Sequence, residues 1–162
     1  MDEPKAPAVA LTGAERRDVW IAAQVARTGI DEAMIRRLVE DFYGSVRHDP
    51  ALAPIFKAHV LDWDVHIDTL CDFWSGVALM TGRYKGKPVI KHAPLPVRAT
   101  HFARWLHLFA QSAHRVCPRP AAEFFIERAE RVAESLAVGI RQAGGPTVAY
   151  VAGQSSAQER HA

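Results

Sequence analysis

The chain has 162 residues, of which 49% are hydrophobic, enough for one domain with a core that can enclose a small molecule. Its 20 Lys and Arg against 18 Asp and Glu leave a formal charge of +2 without a basic run, which speaks against nucleic acid as a partner. Two isolated cysteines, Cys71 and Cys117, fit a reducing compartment and argue against a disulfide framework or a structural zinc site.

Residues 1 to 12 are rich in Ala and Pro and are expected to be disordered. The apolar run at residues 8–11 is too short for a secretory segment. No later stretch approaches the roughly 20 apolar residues that span a bilayer, so the expected location is cytoplasmic with no membrane partner. Ala14 to Arg27 places Trp20, Ile21 and Val25 at helical spacing and predicts a first helix. Thr28-Gly29 interrupts it, and Asp31 then has the character of an N-cap, with Ile30 and Ile35 in hydrophobic-staple positions.

The second helix, Asp31 to Arg47, carries Ile35, Leu38, Val39, Phe42, Tyr43 and Val46 on one stripe. Tyr43 thus points inward, although a buried tyrosine usually just finds a backbone carbonyl for its hydroxyl. Asp49-Pro50 ends the helix, and Leu52 to Phe56 reads as an apolar corner. From Trp63 to Met80, Asp64, Asp68, Asp72 and Ser75 trace a solvent ridge. The opposite stripe holds Trp63, His66, Leu70, Phe73, Trp74 and Val77, among which His66 is the outlier. It either hydrogen-bonds within the core or faces a cavity. Gly82 is expected to close this helix.

Tyr84 to Pro96, YKGKPVIKHAPLP, places His92 in a short segment hemmed in by Gly86, Pro88, Pro94 and Pro96. The segment is too short for an independent helix, so something outside it must fix its position. Two readings stand side by side: a turn whose histidine binds a neighbouring carbonyl, or an imidazole that ligates a metal or a haem iron. With no C-x-x-C-H in the chain, any haem would be held without that covalent attachment, as haem b is.

After Pro96, Phe102, Trp105, Leu106, Phe109, Ala113 and Val116 define another helix, with His107 and His114 on its wet side. Cys117 to Pro120 breaks the chain, and Ala121 to Ile140 forms a last helix with the inner stripe Phe125, Ala129, Val132, Ala133, Leu136 and Ile140. Glu127 and Arg131 are a favourable exposed pair on it. Gly144-Gly145-Pro146 stops it, and residues 146–162 are expected to be a loose tail. Without a repeat or a strand-period run, the fold class is all-α.

Four blocks in order carry a resemblance: FYGSVRHDPALAPIF (Phe42 to Phe56), WDVH with FW (Trp63 to Trp74), YKGKPVIKHAPLP, and HFARWLHLF (His101 to Phe109). Over Asp31 to Gly145 the chain resembles the globin family, and within it the group III truncated haemoglobins. The absence of paired glycines before Gly144 fits that group. The resemblance implies a shortened globin fold, a two-on-two helical sandwich around one haem b, in a domain spanning residues 31–145. Residues 1–30 would form a partly helical extension and 146–162 the tail.

On the same resemblance His92 corresponds to the iron ligand, and Tyr43, His66 and Trp105 to the polar groups on the gas-binding side. Phe56, Phe73, Trp74, Phe102 and Leu106 are candidate apolar walls, though stripe residues of this kind also form plain core. Lys91 and Arg98 are candidate partners for the haem propionates. The implied function is reversible binding of O2 or another diatomic gas, with redox turnover of nitric oxide or peroxide and an unidentified electron donor as an extension. A peroxidase-like enzyme with His66 as acid and base, and a helical interaction module without haem, are the competing readings.

Overall fold

A computed structural model describes residues 10–144. The expectations for residues 1–9 and for the tail at 146–162 lie outside the described residues. Among the described residues there are seven helices and no strand.

Helix α1, Gly13–Thr28, starts at a capping box in which Thr12 Oγ1 accepts from the Glu15 N–H (3.2 Å) and Glu15 accepts from the Thr12 N–H (2.7 Å). Thr12 therefore belongs to the helix start and not to a disordered leader. Helix α2, Glu32–Val46, is capped by Asp31, which accepts from the Met34 N–H at 2.8 Å, and the staple residues Ile30 and Ile35 are both buried.

The segment expected as an apolar corner is instead a helix, α3, Ala53–His59. Asp49, expected only to end α2, is buried, and its carboxylate accepts from the Ala51 and Leu52 N–H groups (3.1 Å each). That bond pair turns the chain into α3, with Pro54 in its first turn where a missing N–H costs nothing.

Helix α4, Trp63–Leu79, is capped by Asp62 and ends at Met80, whose φ of 53° is left-handed, two residues ahead of Gly82. Ser75 departs from the expected solvent ridge: it is fully buried, because α2 packs along that flank of α4. Its hydroxyl bonds Glu32 (2.7 Å) and Thr81 (2.9 Å), and Arg83 joins Ser75, Glu32 and Asp72. This network ties the chain leaving α4 back onto α2.

Helix α5, Pro88–His92, has five residues, none of them buried. Helices α6, Ala99–Val116, and α7, Arg119–Gln142, are the last two among the described residues, with the Arg131–Glu127 pair formed at 2.6 Å on α7. Helix α2 packs on α4, α6 packs on α7, and α2 against α6 joins the two pairs, which is the two-on-two arrangement. The shorter α5 and the leading α1 both rest on α7.

At the centre Phe42, Phe109 and Phe125 are buried almost completely. Phe109 is stacked between Trp74 (5.0 Å) and Trp105 (5.5 Å), and Phe42 meets both Phe109 and Trp105 edge-on. Each such side chain contributes roughly 1.5–3 kcal/mol by leaving water, and each well-placed ring pair about 0.5–1.5 kcal/mol more. The cluster therefore fixes α2, α4 and α6 relative to one another. No helix among the described residues is long and apolar enough to cross a membrane.

Candidate functional site

Beside this cluster lies a cavity of about 520 Å3, within the range of cofactor clefts. Tyr43, Phe56, His66, Phe73, Trp74, Lys91, His92, Phe102 and Trp105 all line it, so four helices and α5 bring these sequence-selected residues together. Arg98 does not line it: it is exposed at the start of α6. Leu106 is also absent from the lining and packs into the core.

His92 sits half-buried at the end of α5, and its Nδ1 lies 2.7 Å from the Pro88 carbonyl oxygen. A carbonyl only accepts, so Nδ1 carries the proton and donates it, which leaves the Nε2 lone pair free. The two readings of this histidine from sequence are thus compatible, since the carbonyl bond on one nitrogen orients the other.

On the lining of the same cavity, Tyr43 is 5% exposed and meets the rings of Phe42, Phe56 and His66 at 4.7, 5.7 and 5.3 Å. Burial pushes the Tyr43 hydroxyl's pKa well up, against a smaller opposing pull from the polar Trp105 indole, so the group stays protonated. The His66 ring stands edge-on to both Tyr43 and Trp63 (5.3 and 5.6 Å), and the Arg47 guanidinium covers Trp63 from outside at 4.6 Å. Among the described residues His66 Nε2 is buried with no hydrogen-bond partner. Burial lowers the His66 pKa, and the nearness of two further basic side chains, His92 and Lys91, lowers it further.

A family model for bacterial-like globins matches residues 27–137. The chain belongs to that family. A group 3 truncated haemoglobin, ctb, of Campylobacter jejuni is 32% identical over 121 residues, which cover 72% of this chain and 95% of that protein. The crystal structure of a group III truncated haemoglobin from Campylobacter jejuni matches with a TM-score of 0.65 at 33% identity, covering 72% of this chain and 96% of that one. This globin thus groups with the truncated haemoglobins of group III, and membership implies haem-based gas binding. Most of α1 precedes the matched residues.

The cavity of this globin suits such a guest on its own chemistry. A buried imidazole nitrogen without a partner is costly, about 1–3 kcal/mol, unless something polar faces it. His92, whose Nε2 the Pro88 bond leaves free, lines the same cavity, and most of the remaining walls are apolar or aromatic. Sequence reasoning missed four polar lining residues, His59, Thr69, Tyr84 and His101. Tyr84 was visible as the first residue of the clipped segment, and it packs edge-on against Phe73 at 5.3 Å. His101 was visible only as the first residue of the block HFARWLHLF: its Nδ1 accepts from the Arg98 N–H (2.9 Å), a link that depends on where α6 begins.

Proposed function

We propose that this globin holds haem b in the cavity through His92 and binds O2 or another diatomic gas reversibly. The observation that carries the reading is that His92, whose Nε2 is freed by the Pro88 bond, and His66, whose Nε2 is buried and unpartnered, both line one cavity. When bound, the haem supplies a ferrous iron with an open position for a gas. His92 Nε2 would ligate the iron, and its Nδ1–H, fixed on the Pro88 carbonyl, holds the ring in one orientation. Phe56, Phe73, Trp74 and Phe102 exclude water from the cleft.

The Tyr43 hydroxyl and the Trp105 indole N–H supply donors to a gas ligand that draws electron density, and a dry site strengthens both. Lys91 stands exposed on the lining as a partner for a propionate, and His59 and His101, not Arg98, are the other basic groups there. The two free cysteines support a reducing, cytoplasmic location.

His66 favours a second reading, a peroxidase-like enzyme. A neutral imidazole with a free buried nitrogen can take a proton from a peroxide and return it to the departing oxygen. Sustained turnover of peroxide or nitric oxide would draw electrons from a separate donor. Absorption spectra of the purified protein with haem test the first step, since absence of a strong haem band ends both readings. Comparing the lifetime of bound O2 with steady-state peroxide turnover divides them: long retention with slow turnover supports the gas binder, and the reverse supports the enzyme.

A further inference from the structure

Helix α5 has five residues and buries none of them, begins at Pro88 without a side-chain cap, and has α7 as its main neighbour. Opposite it on α7 is Gly139, inside a helix that runs on to Gln142. Glycine is unfavourable at such a position, and neither a left-handed φ nor a helix end calls for it here. The close approach of α5 does. A Cβ at position 139 would lie 2.6 Å from Val89 Cγ2, 3.0 Å from Cγ1 and 3.4 Å from Cβ. Valine's methyl groups sit directly on a stiff, branched Cβ and cannot fold away as a long side chain would.

Val89 is also coupled to the imidazole. Its carbonyl accepts from the Ala93 N–H at 2.9 Å, and the preceding carbonyl, of Pro88, is the one that orients His92. A displacement of Val89 away from α7 therefore moves the acceptor that fixes the ring.

On the reading of His92 as the iron ligand, we propose that Gly139 is a positioning residue for it. The missing side chain lets Val89 seat α5 on α7, and the depth of that seat sets where the His92 Nε2 meets the haem.

The test uses the wild type, Gly139→Ala, and Gly139→Ala with Val89→Ala, each reconstituted with haem b. The rate of haem transfer to excess apomyoglobin and the iron–histidine stretching band of the ferrous protein are measured. Gly139→Ala loses haem faster, on the order of tenfold, as when a group orienting a metal ligand is disturbed, and its band shifts. The double variant returns to within about twofold of wild type with the native band, because only the Val89 Cβ, at 3.4 Å, then faces the new methyl. A general loss of stability would move neither the band nor its recovery in the double variant.

The proposal is overturned if Gly139→Ala keeps the native rate and band, or if the double variant keeps the defect. If Gly139→Ala does not fold, Val89→Ile, which enlarges the same contact by one carbon, takes its place, and a native rate and band in that variant overturn it equally. A wild type that takes up no haem at all overturns the reading of His92 itself, a failure distinct from the other two.

Discussion

The two sides of the cavity are built on different physics. Tyr43 and Trp105 are set by the aromatic cluster of Phe42, Trp74 and Phe109, whose rings interlock across α2, α4 and α6. His92 stands on a single helical turn with no buried residue, far below the length at which a helix persists alone. One wall is held by interlocked core rings, whereas the other is held by a proline, the carbonyl bonds of a single turn and a neighbour on α7. Breaking each wall should therefore have a different signature.

The largest effect is expected at the weak wall. His92→Gly should lose haem during purification and regain a haem band when imidazole is supplied, while the helical circular dichroism stays native because no core contact is removed. A normal five-coordinate ferrous spectrum without imidazole would show that another residue holds the iron.

At the strong wall the change should be in kinetics, with the pocket intact. Tyr43→Phe keeps the ring in its packed place and removes only the hydroxyl. A lost donor in a dry site costs about 1–3 kcal/mol, so O2 should leave roughly ten- to hundredfold faster in stopped-flow measurements. If release is as slow as in the wild type, Trp105 or His66 is the principal donor.

Helix α3 offers a third case, since it too buries no residue yet places Phe56 on the cavity. Its anchor is Asp49, which takes two backbone N–H bonds and a 2.7 Å ion pair from Arg104. Burial acts to raise the Asp49 pKa, but Arg104 and the backbone donors outweigh it and hold the carboxyl below the usual range. The unfolded chain thus binds this proton more readily than the folded one, and the stabilisation is complete above the ordinary value, about pH 4. It is lost as the pH falls through the lower, folded value. Asp49→Ala should cost about 2 kcal/mol in urea unfolding at neutral pH, a discounted figure because the Arg104 side chain is 44% exposed. The gap between variant and wild type should close in acid below about pH 4.

The same contrast explains what could be read in the sequence. The long stripes of α2, α4, α6 and α7 repeat over several turns, so their inner faces were legible, as were Tyr43, His66 and Trp105 on them. Helix α3 was not, because Asp49-Pro50 has the pattern of a terminator and nothing local shows that Asp49 will be buried beside Arg104, a residue more than fifty positions away. Ser75 failed for a related reason: its spacing matches the acidic ridge, and only the arrival of Glu32 from α2 and Arg83 from beyond α4 makes it core. Arg98 was favoured as a cation near the clipped segment, but the turn into α6 gives the cavity His101 instead.

The smallest effect should come from His66, and it runs in the opposite direction. This residue belongs to the strong wall, yet its Nε2 is buried without a partner. Desolvation lowers its pKa, so the folded protein carries a neutral ring whose polar atom has lost its water. In the haem-free protein, His66→Leu should raise stability by about 1 kcal/mol in urea unfolding, because an apolar side chain of similar size removes the unsatisfied atom and keeps contact with Tyr43 and Trp63. Unchanged or lower stability would mean that water already satisfies the nitrogen. A gain would show that the aromatic wall is tight enough to keep water out and that His66 weakens it, as expected of a side chain whose partner is a ligand and not the fold.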